Sequence, residues 1–259
     1  MTGSHVSSVH GNEKPASRKR WRGIFVTGTD TGVGKTVITA AIAAALRSEG
    51  RNVGVWKPVQ SGGLLGEGIT DAERLLRGTG IAERPEQVAP FTFAAPLAPA
   101  LAAKQAGVNL TMAGLLAAGV PLAERYDALL IEGAGGAAVP LTSDALVADF
   151  IAELGVPALI VARSGLGTVN HTLLTAALLR QRGIPVAGVV MNEVDHATSR
   201  TDPSTAANAE LIERYGSLRV LGRFPWVSGE ATMERLVRAV KQHIDISPVR
   251  QILENVTNS

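Results

Sequence analysis

Short apolar runs alternate with longer segments of helical periodicity along most of the chain. From Gly23 onward, strand-sized runs rich in Val, Ile, Leu and Ala recur between segments whose apolar residues repeat with a helical period. This alternation predicts repeated β-α-β units, and therefore an α/β fold whose mostly parallel sheet is covered by helices on both faces. The predicted strands are 24–27, 53–57, 128–132, 158–162, 186–192 and 220–224. The predicted helices are 36–48, 70–77, 146–154, 170–182, 206–215 and 232–243.

A proline-rich stretch breaks this alternation between residues 85 and 110. Pro85, Pro90, Pro96 and Pro99 lie within it, and proline is disfavoured in helix interiors and in central strands. We therefore expect an irregular excursion there, followed by one or two helices before the strand predicted at 128–132.

The length and the two ends of the chain predict one folded domain. A chain of 259 residues is long enough for a single large α/β domain with its own core, which we assign to residues 23–246. Residues 1–22 are polar, end in a basic cluster and lack the apolar segment of a secretory signal, so we expect a disordered basic tail there. We expect residues 247–259 to form a C-terminal tail or a short helix.

Composition argues against several classes of function. The 25 Lys and Arg residues nearly balance the 23 Asp and Glu residues, so the chain lacks the strong positive field that holds a nucleic acid. It has no cysteine, which excludes disulfides, thiolate metal sites and cysteine nucleophiles. No apolar run approaches the roughly 20 residues that span a bilayer. We therefore expect a cytoplasmic protein without nucleic-acid or membrane partners.

The first predicted strand leads into a glycine-rich loop and then a helix, which is the context that a phosphate-binding P-loop requires. Small residues let consecutive backbone N–H groups surround phosphate oxygens at the helix N-terminus, where the helix dipole favours anions. In such a loop Lys35 reaches the β- and γ-phosphates, and the Thr36 hydroxyl ligates Mg²⁺. Five residues separate Gly28 from Gly34, one more than in the common pattern, and the alternative is a glycine-rich turn without a ligand. The loop reads Gly28-Thr29-Asp30-Thr31-Gly32-Val33-Gly34-Lys35-Thr36.

A lysine and two carboxylates are further candidates for the same site. Lys57 ends the second predicted strand and Glu132 ends the third, and open α/β folds bind ligands at the carboxyl ends of their strands. A cation there would face phosphates, and a carboxylate would meet Mg²⁺, which prefers oxygen ligands. The alternatives are a solvated lysine and a structural strand-end acid. Asp71 follows Thr70, which forms a capping box with Glu73, so Asp71 could simply complement a helix dipole.

Four short motifs together resemble the dethiobiotin synthetase family of P-loop NTPases. The motifs are Gly-Thr-Asp-Thr-x-Val-Gly-Lys-Thr at 28–36, Lys-Pro-Val-x-Ser-Gly at 57–62, Glu-Gly-Ala-Gly-Gly at 132–136 and Gly-x-x-Asn-His at 167–171. They occur in the family's order, and the resemblance covers about residues 24–226. It implies a single-domain P-loop NTPase-like fold, ATP as co-substrate, Mg²⁺ as cofactor and a homodimer.

The resemblance also implies catalytic and metal-binding roles for residues of these motifs. Thr31 and Lys35 are implied to hold phosphates. Lys57 and Ser61 are implied to face the carbamate and the transferred phosphate. The implied oxygen ligands of Mg²⁺ are Thr36, Asp71 and Glu132.

The fourth motif receives a substrate-binding role from the resemblance. Its backbone N–H groups open a helix and resemble those that bind the carboxylate tail of the substrate across the dimer interface, since helix N-terminal amides suit an anion. From the residues alone, Asn170 would cap the helix and His171 would pack against neighbours. The residues implied to bind the tail are Gly167, Thr168, Val169 and Asn170.

Residues 192–195 resemble the family's base-reading segment. The segment also resembles the Asn-Lys-x-Asp motif of GTPases, with Glu193 in place of the lysine. By resemblance, Asn192 contacts the purine edge, and Pro225 and Trp226 lie nearby.

The activity implied by the resemblance is that of an ATP-dependent cyclo-ligase of biotin biosynthesis. Such an enzyme joins 7,8-diaminopelargonic acid and CO₂ through a carbamate and a carbamic-phosphoric anhydride into the ureido ring of dethiobiotin. Switch ATPases of the chromosome-partitioning or septum-site type share the fold, but they carry an additional lysine early in the P-loop, where this chain has Asp30. The synthetase half of a cobyrinic-acid-type amidotransferase would need a glutaminase domain with a cysteine, for which 259 cysteine-free residues leave no room.

Overall fold

The computed structural model describes residues 21–194 and 202–257. All but the last two positions of the predicted basic tail lie outside the described residues, as does Asp195. Within the described ranges, no helix has the length and apolar character needed to cross a membrane.

Parallel strands form the centre of the molecule. In chain order, the strands of the described residues are β1 (Gly23–Gly28), β2 (Val53–Trp56), β3 (Val59–Ser61), β4 (Phe91–Phe93), β5 (Ala128–Gly136), β6 (Ala158–Arg163), β7 (Val186–Asn192) and β8 (Val220–Phe224). Six of them form one sheet in the order β2-β5-β1-β6-β7-β8, and each neighbouring pair is parallel.

Helices cover both faces of this sheet. They are α1 (Lys35–Ser48), α2 (Asp71–Thr79), α3 (Pro85–Val88), α4 (Pro99–Gln105), α5 (Met112–Arg125), α6 (Val147–Leu154), α7 (Thr168–Gln181), α8 (Asn208–Gly216), α9 (Met233–His243) and α10 (Ser247–Thr257), with a 3₁₀ turn at Pro203–Ala206. Successive side chains of a strand point to opposite faces, so Ile24 and Val26 of β1 join one core and Phe25 joins the other. Helices α1, α2, α9 and α10 close the first core, and α4 to α8 close the second. The predicted α/β class is confirmed.

Both ends of the described chain pack against the sheet layers. Trp21, which the sequence analysis assigns to the tail, is buried, and its ring stacks on Trp56 with 5.3 Å between centroids. At the other end α10 buries Val249 and Leu253 in the first core. The packed structure therefore extends from Trp21 into the helix that begins at Ser247.

A second, two-stranded sheet lies in and beside the proline-rich stretch. Its strands β3 and β4 are parallel, with Gln60 opposite Thr92. The expected irregular excursion thus contains a strand as well as α3 and α4. This small sheet holds Ser61 close to the carboxyl edge of the main sheet.

The order of the strands creates a crevice at that edge. The chain passes from β1 through α1 to β2 on one side, whereas β6 and β7 lie on the other side of β1. Such a reversal of strand order opens a ligand-binding crevice at the carboxyl ends of parallel strands. The phosphate loop, residues 28–36, follows β1 at this point.

Candidate active site

The phosphate loop contains a glycine, Gly34, at a position where a larger residue would be strained and crowded. Gly34 caps α1 with a left-handed backbone (φ 91°) and without a side-chain hydrogen bond. A Cβ atom on Gly34 would lie 2.0 Å from Nδ2 of Asn192, and that amide donates to the Val33 carbonyl at 3.0 Å. Because a helix leaves its first N–H groups without intrahelical partners, this loop presents amides and the positive end of the α1 dipole to an anion.

Lys35 lies against the phosphate loop. Its Nζ donates to the Asp30 carbonyl at 3.0 Å, and the side chain is largely buried. Burial, followed by the positive charge of Lys57, lowers the pKa of Lys35 to about 8. The lysine is therefore a cation at neutral pH that an incoming phosphate would stabilise further.

Lys57 lies deeper in the crevice between two carboxylates. Only 2% of the residue is exposed, and its Nζ lies 2.6 Å from Oε1 of Glu132 and 2.8 Å from Oδ2 of Asp71. It also donates to the Gly133 carbonyl at 3.1 Å. Burial disfavours the ammonium form, but the charges of Glu132 and Asp71 outweigh burial and raise the pKa of Lys57. The alternative of a solvated lysine is therefore wrong.

The Thr36 hydroxyl forms hydrogen bonds with the same two carboxylates, those of Asp71 and Glu132. Its Oγ1 lies 2.9 Å from Oε1 of Glu132 and 3.1 Å from Oδ1 of Asp71. Burial acts to raise the pKa of Asp71, but the charge and hydrogen bond of Lys57 outweigh it and lower that pKa. The capping box predicted from Thr70 and Glu73 is present, yet the Asp71 carboxylate also contacts two residues of other elements. We call Lys35, Thr36, Lys57, Asp71 and Glu132 the charged cluster.

The cluster has an oxygen that suits a hard divalent cation. Oε2 of Glu132 is buried and has no hydrogen-bond partner among residues 21–194 and 202–257. Two carboxylates and a hydroxyl are the oxygen donors that Mg²⁺ prefers, with its remaining ligands coming from water and phosphate. The described ranges contain no group of three or more His, Cys, Asp or Glu side chains able to hold a metal ion by themselves. The donor set therefore suits an ion that arrives with a phosphate ligand.

The charged cluster lines a cavity of about 820 Å³. Thr31 and Ser61 also line it, and the Ser61 hydroxyl donates to the Leu97 carbonyl at 2.8 Å. Sequence reasoning missed several lining residues. Arg74 follows Asp71 by three positions, a spacing that puts two side chains on one face of a helix; Glu230 lies in a loop and offered no such signal. Lining residues missed from the sequence include Gln60, Arg74, Arg77 and Glu230.

The start of α7 is a second helix N-terminus at the carboxyl edge, away from this cavity. Gly167 caps the helix with φ 88° and no side-chain bond, and residues 167–170 are not among those lining the cavity. The Thr168 hydroxyl and Nδ1 of His171 are buried and have no hydrogen-bond partner within the described part of the chain. A single chain therefore does not bring this segment and the charged cluster together.

The residues implied to read the base also lie outside the cavity lining. Asn192 is buried at the end of β7 and supports the phosphate loop through Val33. Pro225 and Trp226 follow β8, the neighbouring strand, and Trp226 is exposed. Strands β7 and β8, which these residues follow or end, lie on the opposite side of β1 from β2 and Lys57, and of the three residues Asn192 is the one with a hydrogen bond to the phosphate loop.

Comparison with known proteins finds one matching family model and many relatives of the same name. A family model described as an AAA domain matches residues 22–232. The ATP-dependent dethiobiotin synthetase BioD of Anaeromyxobacter dehalogenans (strain 2CP-C) is 47% identical over 219 residues, which cover 85% of this chain and 95% of the relative. The protein of the same name from Bacillus cereus (strain B4264) is 41% identical over 236 residues, covering 91% and 96%. A similar solved structure, chloroplast FtsY from Physcomitrella patens, has a TM-score of 0.48 and 18% identity, covering 85% of this chain and 65% of that one.

The two synthetases are matched over nearly their whole length, and the residues that the family model matches, 22–232, include the phosphate loop and the entire charged cluster. With this level of identity over this share of both chains, the chain belongs to the ATP-dependent dethiobiotin synthetase family.

Proposed function

We propose that this chain is an ATP-dependent cyclo-ligase that closes the ureido ring of dethiobiotin from 7,8-diaminopelargonic acid and CO₂. The observation that carries the proposal is the charged cluster. Two lysines, two carboxylates and a hydroxyl meet in one cavity beside a phosphate loop; they come from helices α1 and α2, from strand β5 and from the residue that follows β2. The names of the relatives supply the substrate class.

The reaction begins when one amine of the diamine adds to CO₂ and loses a proton, which gives a carbamate. The two lysines of the cluster offset the charge of this anion, and Ser61 lines the same cavity. A carbamate oxygen then attacks the γ-phosphorus, and the bond to the β-phosphate oxygen breaks to release ADP. Fixed positive groups stabilise the charge that spreads over the transferred phosphoryl group.

The ring closes in a second step, while the diamine stays bound in the same cavity. The neighbouring amine attacks the carbonyl carbon of the carbamic-phosphoric anhydride and loses a proton, the carbon–oxygen bond to phosphate breaks, and inorganic phosphate leaves with that oxygen. Because the second amine is tethered to the activated carbon, much of the acceleration comes from positioning. Thr31 and Lys35 are proposed to hold the phosphate throughout.

Thr36, Asp71 and Glu132 are proposed to hold Mg²⁺. The support is the unpartnered buried oxygen of Glu132 and the oxygen-only donor set around it. When bound, Mg²⁺ would neutralise charge on the β- and γ-phosphate oxygens.

The base of ATP is proposed to lie beside Asn192, Pro225 and Trp226. The support is their position at the carboxyl ends of two adjacent strands, together with the hydrogen bond from Asn192 to Val33 of the phosphate loop. One Nδ2 hydrogen of Asn192 is used by the Val33 carbonyl, which leaves the other hydrogen and Oδ1 for a purine edge.

We also propose a homodimer in which α7 of one protomer receives the substrate carboxylate of its partner. The first turn of α7 has no side-chain cap, although the Thr168 N–H donates to the Gly165 carbonyl at 3.2 Å. Leu166, just before the helix, and Leu174, within it, are 80% and 63% exposed. Exposed apolar patches of this kind mark protein contacts, and a helix N-terminus binds carboxylates. The proposed tail-binding residues are Gly167, Thr168, Val169 and Asn170.

The test is a coupled product assay. The protein is incubated with the diamine, labelled bicarbonate, Mg²⁺ and ATP, and acid-stable label and free phosphate are measured together. We expect equal amounts of both, and neither when the diamine is omitted. Phosphate release that ignores the diamine would contradict the proposal and favour a nucleotide-switch ATPase.

A further inference from the structure

We propose that Gln60 is a positioning residue that fixes Asp71 for binding the metal, an inference that rests on the proposed function. Gln60 is the middle residue of β3 and only 3% exposed. It lies between Lys57 and Ser61 in sequence, and it lines the cavity of the charged cluster.

Both ends of the Gln60 amide are used in buried hydrogen bonds. Its Oε1 accepts from the backbone N–H of Ala72 at 3.1 Å, and its Nε2 donates to Oγ1 of Thr92 at 3.1 Å. The Thr92 hydroxyl donates in turn to the Ala89 carbonyl at 3.0 Å. The amide therefore connects the first turn of α2 to β4.

The hydrogen bond between Gln60 and Ala72 lies next to Asp71, whose carboxylate is proposed to bind the metal. Ala72 is the second residue of α2, and its N–H has no intrahelical partner. The Thr70 cap accepts from Glu73 instead, so Gln60 satisfies a different amide of the same turn. Asp71 precedes Ala72, and its two oxygens lie 3.1 Å from Thr36 and 2.8 Å from Lys57. Fixing the Ala72 amide therefore fixes the direction from which Asp71 reaches the cluster.

The experiment measures Mn²⁺ affinity in the presence of ADP by electron paramagnetic resonance, so that it needs no ligase turnover. Gln60→Met keeps the size of the side chain and removes both hydrogen bonds. We expect it to weaken Mn²⁺ binding about tenfold, as for other residues that orient metal ligands. Thr92→Val is the matched control, because it removes the Nε2 contact and leaves the Ala72 contact. We expect it to stay within about threefold of the wild type.

A double variant separates positioning from a merely structural role. In an Asp71→Asn background the substitution Gln60→Met is expected to change Mn²⁺ affinity less than about twofold, because the carboxylate that it positions is gone. A persistent tenfold loss there, an equal loss in Thr92→Val, or an unchanged Gln60→Met would overturn the proposal.

If the Gln60→Met protein does not fold, Gln60→Glu is the variant that tests the proposal. The introduced carboxylate still accepts from Ala72, so Mn²⁺ affinity near the wild-type value is expected, and a tenfold loss would overturn the proposal. If the wild-type chain binds Mn²⁺ with ADP but makes no dethiobiotin, the proposed function fails while the comparison of variants still decides the role of Gln60.

Discussion

The two helices that begin at the carboxyl edge of the sheet, α1 and α7, have similar caps and very different surroundings. Gly34 and Gly167 both have left-handed backbones, with φ of 91° and 88°, and neither helix has a side-chain cap. The α1 terminus faces two lysines and two carboxylates inside a cavity. The α7 terminus has exposed Leu166 and Leu174 beside it.

This difference shows what a helix N-terminus contributes to an anion site and what it does not. The dipole and free amides suit a single carboxylate. A transferring phosphoryl group carries more charge, and it needs cations as well. The α1 site has those cations within one chain. The start of α7 has backbone amides, the exposed side chain of Leu166 and the Asp202 carboxylate, which accepts from the Leu166 N–H at 2.7 Å. None of the residues of the charged cluster lies there, so this site would need a second protomer to supply further groups.

The largest effect is expected from Lys57→Met. Removing this buried cation leaves Lys35 as the one lysine of the cluster facing the carbamate and the phosphoryl group, and kcat should fall by about 10³-fold. The measurement is diamine-dependent phosphate release. Lys241→Met, which removes an exposed lysine of α9, should leave kcat unchanged; a Lys57→Met enzyme with near-normal kcat would exclude the lysine from the mechanism.

Gly34→Ala should weaken ATP binding about a hundredfold, because the new Cβ meets Asn192 and the backbone is strained by ~1–3 kcal/mol. Isothermal titration calorimetry measures the Kd. Gly50→Ala is a matched control: Gly50 also has a positive φ (83°), but a Cβ there meets nothing within 4 Å. Gly50→Ala should lower the stability of the protein without changing the Kd for ATP. An equal rise of this Kd in both variants would mean that backbone strain alone, and not the contact with Asn192, weakens ATP binding.

Leu166→Asp should separate the proposed dimer and raise KM for the diamine about tenfold, with KM for ATP nearly unchanged, because only the α7 site depends on the partner. Sedimentation analysis and steady-state kinetics measure the two effects. Leu101→Asp, at another exposed leucine, on α4, is the control. A Leu166→Asp protein that stays dimeric with normal kinetics would remove the partner from the α7 site.

The smallest expected effect is the change of the Kd for ATP with pH. The pKa of Lys35 is lowered to about 8 in the free protein, so its ammonium form is lost as pH rises through 8. Phosphate binding favours the ammonium form, and Kd for ATP should therefore rise about threefold from pH 7.5 to 8.5, with proton uptake on binding. Calorimetry in buffers of different ionisation enthalpy measures both. In Lys35→Arg the guanidinium stays charged, so this dependence should disappear.

The sequence predicted the main sheet well and the smaller parts poorly, for physical reasons. Runs such as those of β6 and β7 are apolar enough to identify buried strands. Strands β3 and β4 have three residues each and lie beside prolines, so no periodicity develops. Trp21 was placed in the tail because its neighbours are basic, whereas its burial depends on stacking with Trp56.

In the site, too, contiguous motifs could be predicted from the sequence, whereas contacts between elements distant in sequence could not. The phosphate loop is contiguous, so its spacing could be recognised in the sequence. The contact of Asp71 with Lys57 depends on how α2 packs beside β2, and the residues alone favoured Asp71 as an acid that complements the helix dipole. Gln60 gave no signal at all, because its role depends on a bond to Ala72 across two elements.

The most direct test of the proposed chemistry follows one oxygen atom. The carbamate oxygen that attacks the γ-phosphorus stays with phosphate when the ring closes. A single turnover with diamine, ATP and ¹⁸O-labelled CO₂, quenched before the label exchanges with water, should therefore transfer one ¹⁸O atom into each phosphate released, as read by mass spectrometry. Phosphate that carries no oxygen from CO₂ would contradict the carbamate attack on ATP and, with it, the role assigned to the charged cluster.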